Sequence, residues 1–166
     1  MSEKIRAAVI PGSFDPITMG HLDVIERTAA MFDCVYVTAF SNADKKGSMF
    51  SSEEKLHMLK LATAHLENVI CSVESGLTAV FAKEHNAVIV KGIRNGTDLD
   101  YEMTMYGINR AVEGVDTMFI PAKQEYVHIS STFVREMLRY HHDFTGLVPA
   151  PVHRYLCEEW MKNKTE

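Results

Sequence analysis

Five short apolar runs separated by longer periodic stretches constrain the fold of this chain more than any other sequence feature. Continuous apolar runs of this length are typical of buried strands, and the stretches between them carry apolar residues at helical spacing. Strands that alternate with helices predict a parallel sheet covered on both faces. We therefore expect one doubly wound α/β domain over residues 1–166, with a five-stranded parallel sheet and additional C-terminal helices. The predicted strands are residues 7–10, 34–40, 69–73, 87–91 and 117–120, and the predicted helices are about 20–31, 52–66, 77–85, 98–113, 131–140 and 149–161.

Composition and charge narrow the class of protein. The chain has 166 residues, of which 46% are hydrophobic and 23% charged, as expected of a globular domain with a sizeable core. A net charge of −5 argues against a general nucleic-acid binder, so any phosphate site needs a local cluster of cations. No apolar run approaches the ~20 residues of a membrane span, and no signal-peptide pattern is present. Three cysteines without a CxxC pair favour a reducing compartment, so we expect a cytoplasmic protein with no nucleic-acid or membrane partner.

Residues 11–21, which read PGSFDPITMGH, connect the first predicted strand to the first predicted helix. Two prolines stiffen this connection, and two glycines let the backbone come close to a ligand. The free N–H groups at the start of the helix would face the crevice beyond the strand, where phosphate is favoured. Neither a GxGxxG nor a GxxxxGK[ST] pattern is present, which argues against a dinucleotide fingerprint or a P-loop. Taken alone, His21 would be interpreted as a solvated residue of the first turn.

The other candidate residues also follow predicted strands. In a doubly wound, Rossmann-like sheet, ligands bind beyond the carboxyl ends of the strands. The residues at or just after these strand ends are 11–13, 41–46, 74–78, 91–94 and 121–128. The sequence therefore predicts that cations and hydroxyl groups from distant parts of the chain gather at one edge of the sheet.

A second motif, ISSTFVR at residues 129–135, places three hydroxyl residues at a helix start with a cation one turn later. Together, the two motifs resemble the TxGH and ISSTxxR signatures of the nucleotidyltransferase superfamily. The full pattern is similar to that of the phosphopantetheine adenylyltransferase family over nearly the whole chain. It consists of PGSFDPITMGH, Lys45-Lys46, KGIRNGTDLDYEM (residues 91–103) and YVHISST (residues 126–132).

This resemblance implies a reaction and a set of site residues. The 4′-phosphate of phosphopantetheine would attack the α-phosphate of ATP and give dephospho-CoA and pyrophosphate, a step of coenzyme A biosynthesis. The resemblance assigns catalysis to His21, Lys45 and Arg94, and acceptor binding to Ser13, Lys45, Thr78 and Lys91. It assigns ATP binding to Ser13, Phe14, His21, Gly92, Ile93, Arg94, Glu102, Tyr126, Val127, His128, Ile129, Ser130, Ser131 and Thr132.

The resemblance also implies a cofactor and an assembly. Mg²⁺ would accompany the ATP, and the family enzymes are homohexamers. The eight histidines form no HExxH pattern and no Cys/His cluster, so no metal site built by the protein is predicted. Tyr101, Met105, Ile108 and Val112 form an apolar stripe at helical spacing, while Met103 and Tyr106 face elsewhere, and we expect most of these residues to belong to the core. Apolar residues on two faces also suit a helix that packs under a ligand on one side and against another subunit on the other.

Several residues have a second interpretation from the sequence alone. Lys45 and Lys46 could be a solvated charged loop, and Arg94 could pair with Asp98 or Asp100. Arg135 is interpreted equally well as a surface charge.

Three further expectations concern single positions, the first from the family resemblance and the other two from local sequence signals. Lys91 stands where the resembling family usually has arginine, so the charge is kept and the bidentate fork is lost. The Ser51-x-x-Glu54 pattern predicts a capping box, and Asp98 could cap the fourth helix.

Two rival functions remain open at this point. One is another nucleotidyltransferase of the same superfamily, acting on nicotinamide mononucleotide or on a cytidyl acceptor. The other is a nucleotide-binding sensor without catalytic activity. A sensor needs neither His21 nor a second phosphate site, so release of pyrophosphate from ATP and phosphopantetheine would separate it from an enzyme.

Overall fold

The computed structural model of the chain describes residues 6–40 and 47–163. Within them, five strands form one parallel sheet in the order β3-β2-β1-β4-β5, and all neighbouring pairs are parallel. The predicted fold class, a doubly wound α/β sheet, is confirmed. The strands are β1 (Ala7–Gly12), β2 (Cys34–Phe40), β3 (Val69–Glu74), β4 (Ala87–Ile93) and β5 (Thr117–Pro121).

The helices follow the predicted alternation. Four of them connect successive strands: α1 (Met19–Ala29), α2 (Ser52–Thr63), α3 (Thr78–Glu84) and α4 (Gly96–Glu113). After β5 come a 3₁₀ turn (Gln124–Tyr126), then α5 (Ser131–Arg139) and α6 (Ala150–Tyr155). The predicted C-terminal helix is interrupted, because a π turn (Leu156–Trp160) follows α6 before the last helical turn, Met161–Asn163. None of the helices within the described ranges is long and apolar enough to cross a membrane.

The order in which strands are added to the sheet reverses at β1, in the centre of the sheet. From β1 it proceeds outward to β2 and β3, and then returns to place β4 on the other side of β1. β1 pairs with β2 over its whole length, Ala7 to Gly12, but with β4 only from Ala7 to Val9. The carboxyl ends of β1 and β4 therefore separate, and a crevice opens between them, as expected at a topological switch point.

Successive side chains of β4 point to opposite faces of the sheet, and so toward different layers of helices. Val88 and Val90 belong to the main core with α1, α2, α5 and α6, whereas Ile89 packs with Ala82 of α3 on the opposite face. Gly92 faces α1, and a Cβ placed on it would lie 2.8 Å from Cγ2 of Val24. Only glycine lets the end of β4 approach the first turns of α1 this closely.

Most differences from the predicted elements lie at their ends. β1 and β4 each continue two residues beyond their predicted ends, because backbone pairing extends past the apolar run. The Ser51–Glu54 capping box is confirmed. The expectation that Asp98 caps α4 was wrong: Asn95 is the N-cap residue, and its side chain accepts a hydrogen bond from the Asp98 N–H.

Candidate active site

A cavity of about 670 Å³ lies beyond the carboxyl ends of β1 and β4, where the crevice opens. It brings together most of the residues to which the family resemblance assigned ATP or acceptor binding. From the first half of the chain and β4–α4 these are Ser13, Phe14, His21, Lys91, Gly92, Arg94 and Glu102. From the segment after β5 they are Tyr126, Ile129, Ser130, Ser131 and Thr132.

A smaller cavity of about 310 Å³ continues from the larger one toward α3 and α4. Thr78 lines it, together with apolar side chains that include Leu77, Met105 and Ile108. The two cavities share a small set of lining residues: Pro11, Gly12, Ser13, Lys91, Tyr101 and Glu102. Two ligands placed in the two cavities would therefore meet beside Ser13 and Lys91.

Not every predicted site residue lies against these cavities. Ile93, Val127 and His128 line neither of the two. The backbone carbonyl of Ile93 instead accepts a hydrogen bond from the Ala122 N–H, which attaches the segment after β5 to β4. Lys45 and Lys46 lie outside the described residues.

His21 is held by the capping box of α1. Thr18 is the N-cap residue, and its side chain accepts from the His21 N–H at 3.3 Å. In return, Nδ1 of His21 accepts a hydrogen bond from the Thr18 N–H at 3.0 Å. A backbone N–H can only donate, so Nδ1 carries no proton and the neutral ring is protonated at Nε2. The TxGH motif thus presents an Nε2–H donor at a fixed orientation.

The surroundings keep the His21 ring neutral. Burial, followed by the positive charges of Arg94 and Lys91, lowers the pKa of His21 from 6.5 to about 4. Phe14 contacts the imidazole edge-on, with the ring centroids 5.1 Å apart. At neutral pH the ring is therefore an uncharged hydrogen-bond donor.

The two cations at the end of β4 are both paired with carboxylates of α4. Nζ of Lys91 lies 3.0 Å from a carboxylate oxygen of Glu102. Arg94 donates from Nε and Nη2 to the two carboxylate oxygens of Asp98, at 2.9 and 3.3 Å. The hydrogen bonds from Arg94 hold the pKa of Asp98 below its ordinary value. The pairing of Arg94 with Asp98, one of two partners suggested by the sequence, is confirmed, and Arg94 lines the larger cavity at the same time.

The three hydroxyl residues that open α5 have separate tasks. Ser130 caps the helix and accepts from the Phe133 N–H. Ser131 donates to the backbone carbonyl of Pro16 at 2.7 Å, and Thr132 accepts from Nη2 of Arg135. The hydroxyls therefore join α5 to the β1–α1 connection as well as lining the cavity.

The interpretation of Arg135 as a surface charge was wrong. Its side chain is only 19% exposed and points into the fold, where Nη1 donates to the backbone carbonyl of Asp15 at 2.7 Å. The same Nη1 lies 3.5 Å from the carboxylate of Asp15. Sequence reasoning missed Asp15, because its partners are distant in the chain and no local spacing indicates them.

Asp15 is a buried carboxylate with a complete set of partners. It accepts hydrogen bonds from the Ser48 hydroxyl and from the N–H groups of Met49 and Phe50, and Lys55 lies 3.6 Å away. Burial acts to raise the pKa of Asp15, but these hydrogen bonds and the charge of Lys55 outweigh it and leave the pKa below its ordinary value.

The side chains around the cavities decide whether the protein itself can hold a metal ion. Within residues 6–40 and 47–163, no three His, Cys, Asp or Glu side chains are grouped so as to hold a metal ion. The carboxylates at the larger cavity, Asp98 and Glu102, are each paired with a cation. The described residues therefore do not form a carboxylate cage of the kind that holds Mg²⁺ without a phosphate ligand.

Comparison with known proteins identifies relatives in sequence and in fold. Residues 9–137 match the family model described as cytidylyltransferase-like. The chain is 43% identical over 159 residues to a phosphopantetheine adenylyltransferase of Symbiobacterium thermophilum, covering 95% of this chain and 98% of the relative. A solved structure from Vibrio parahaemolyticus, named "Putative Nicotinate-nucleotide Adenylyltransferase", superposes with a TM-score of 0.67 and 22% identity over 92% of each chain. At this identity the last likeness concerns the fold alone.

The state of His21 can be tested by NMR of the histidine-labelled protein. We expect its ¹⁵N shifts to report an unprotonated Nδ1 and a protonated Nε2, and to stay constant from pH 8 to pH 5.5, because the pKa is about 4. The signal is assigned by its loss in His21→Gln. In the chain unfolded in urea the same histidine should titrate near its ordinary value of ~6.5. A midpoint near 6.5 in the folded protein would contradict the assigned state.

Proposed function

The chain belongs to the cytidylyltransferase-like family and, within it, to the phosphopantetheine adenylyltransferases, and we propose how its residues divide the work of transferring AMP from ATP to 4′-phosphopantetheine. The observation that carries the proposal is the junction of the two cavities at Ser13 and Lys91. A nucleoside triphosphate fits the larger cavity, and the pantetheine arm fits the smaller, mostly apolar one. The phosphates of the two substrates then meet at the junction.

The reaction requires positioning more than proton transfer. An oxygen of the acceptor 4′-phosphate forms a new bond to the α-phosphorus of ATP, and the bond from that phosphorus to the bridging oxygen of pyrophosphate breaks. The attacking oxygen is already anionic, so no general base is needed. Catalysis then depends on in-line alignment and on stabilising charge at the α-phosphate.

His21 donates its Nε2–H to the α-phosphate in this scheme. The capping box fixes the ring orientation before substrate arrives, so no reorganisation is needed when charge develops. Arg94 and Lys91 add positive charge on the other side of the crevice. Lys91 supplies this charge as a compact ammonium group, whereas the arginine usual in the family would supply a guanidinium that can bind phosphate with two parallel hydrogen bonds.

Acceptor binding is proposed for Ser13, Lys45, Thr78 and Lys91, of which Lys45 follows from the family resemblance alone. ATP binding is proposed for the β1–α1 connection, the end of β4, Glu102 and residues 126–132. The magnesium ion is proposed to enter as part of MgATP, bound by phosphate oxygens, since the described side chains offer it no cage of their own.

Acceptor selectivity tests the assignment most directly. With ATP, we expect pyrophosphate release and dephospho-CoA from 4′-phosphopantetheine, and no dinucleotide from nicotinate or nicotinamide mononucleotide. The reason is the shape of the smaller cavity, whose apolar lining by Leu77, Met105 and Ile108 suits a long flexible arm. A competition assay with all three acceptors measures this. Preferential formation of a dinucleotide would overturn the acceptor while leaving the ATP site in place.

Substitution of His21 tests the mechanism. His21→Ala should lower kcat by about 10²–10³-fold and change the Kd for ATP much less, since the donor is needed mainly in the transition state. Single-turnover rates and equilibrium ATP binding separate the two effects. Equal losses in both, or a nearly normal kcat, would remove His21 from its proposed role.

A homo-oligomer is proposed from the surface of α4, with a hexamer favoured by the family resemblance. None of the 18 residues of α4 is buried, so the expectation that most of its apolar residues belong to the core was wrong. Tyr101, Met103, Ile108 and Val112 are between 47% and 63% exposed. Sedimentation velocity should give about six times the mass of one chain. Met103→Glu, outside both cavities, should shift the distribution to smaller species with an unchanged circular dichroism spectrum. A wild-type monomer across the micromolar range would contradict the proposal.

A further inference from the structure

We propose that Asp23 is a positioning residue for ATP: by holding Lys123 and Arg27, it fixes the segment after β5 that forms one wall of the larger cavity. This inference rests on the proposed function, in which the larger cavity binds ATP. Asp23 belongs to neither motif and lines neither cavity, so its effect must pass through the residues it holds.

The carboxylate of Asp23 joins α1 to the segment after β5. Its side chain is 3% exposed, and its two oxygens lie 2.8 Å from Nζ of Lys123 and 3.1 Å from Nη1 of Arg27. The same Nη1 of Arg27 donates to the backbone carbonyl of Pro121 at 2.8 Å. One buried acid on α1 thus holds the last residue of β5 through Arg27 and the following segment directly through Lys123.

The segment held in this way reaches the cavity. Ala122 and Tyr126 line the larger cavity, and Lys123 lies between them. Lys123 precedes the 3₁₀ turn, and its carbonyl accepts the Tyr126 N–H at 2.9 Å. Tyr126 also lies beside the start of α1, because a Cβ placed on Gly20 would be in ordinary van der Waals contact with Cβ of Tyr126, at 3.7 Å. A shift of Lys123 would therefore move Tyr126 relative to the start of α1, where His21 lies.

The charges favour a positioning role over a purely stabilising one. The hydrogen bond to Asp23, followed by the charge of Asp23, raises the pKa of Lys123. Lys123 and Arg27 are 54% and 38% exposed, so without Asp23 they could return to water at little cost. Ala122 would stay attached to β4 through its N–H, but the chain would lose the link from α1 to Lys123, and with it the fixed location of the 3₁₀ turn that contains Tyr126.

The test is a comparison of Michaelis constants in the full-length enzyme. Asp23→Asn keeps the side-chain shape and removes the charge, and we expect the KM for ATP to rise about five- to tenfold. The KM for 4′-phosphopantetheine and kcat should stay within about twofold of wild type. Lys123→Met should also raise the KM for ATP, whereas Lys123→Arg keeps the positive charge and should have nearly the wild-type KM for ATP. The control is Asp33→Asn, which removes the exposed Arg6–Asp33 ion pair away from the cavities and should change neither KM.

Each outcome decides the proposal. Equal increases in both Michaelis constants, or a loss of kcat with an unchanged KM for ATP, would overturn it in favour of a general structural role. If Asp23→Asn does not fold, the Lys123→Met and Lys123→Arg pair still decides the question. Equilibrium binding of a fluorescent ATP analogue separates this proposal from the proposed function. Weaker binding in Asp23→Asn supports the positioning role even if no product forms with phosphopantetheine, and unchanged binding overturns it.

Discussion

The hydrogen bonds and ion pairs made by the buried carboxylate of Asp15 are the interactions on which the rest of the site depends. Asp15 lies in the β1–α1 connection and joins two other parts of the chain: residues 48–50 and Lys55 at the start of α2, and Arg135 on α5. A buried charge is tolerated only when such partners replace its lost hydration. Because all of them converge on one residue, the loop between Phe14 and His21 is held from both sides before any ligand binds.

Asp15 and His21 respond to acid in the same sense but for different reasons. The pKa of Asp15 is depressed by hydrogen bonds that exist only in the fold, so its stabilising contribution is lost as the pH falls below the ordinary carboxyl range. The pKa of His21 is depressed because its charged form is disfavoured in the site. As the pH decreases from 6.5 to about 4, the unfolded chain therefore binds a proton at His21 that the folded chain does not, and the free energy of unfolding decreases. Asp15 therefore stabilises the site, whereas His21 keeps a neutral donor there and lowers the stability of the fold in acid.

Much of the fold followed from local patterns in the sequence, because both strand burial and helix amphipathicity are periodic signals. The same patterns could place Ser13, His21, Lys91 and the hydroxyls of α5 at one edge of the sheet, since parallel strands end together. They could not show that Arg135 turns inward, because its partner Asp15 lies 120 residues away. The expectation that Asp98 caps α4 failed for a different reason: Asn95 and Asp98 are both good caps, and the choice depends on where the helix begins.

In the proposed function, the local charge arrangement lets a chain with a net charge of −5 bind two polyanions. Lys91 and Arg94 are held in place by Glu102 and Asp98, so their orientation is fixed in the absence of substrate. These carboxylates also compete with an incoming phosphate, which limits the affinity of the site for any single anion. In the proposed function, a ligand that contacts both cations, the His21 donor and the wall after β5 together offsets that competition. Selectivity for a nucleoside triphosphate over free phosphate then follows from the number of contacts made at once, with no need for excess positive charge.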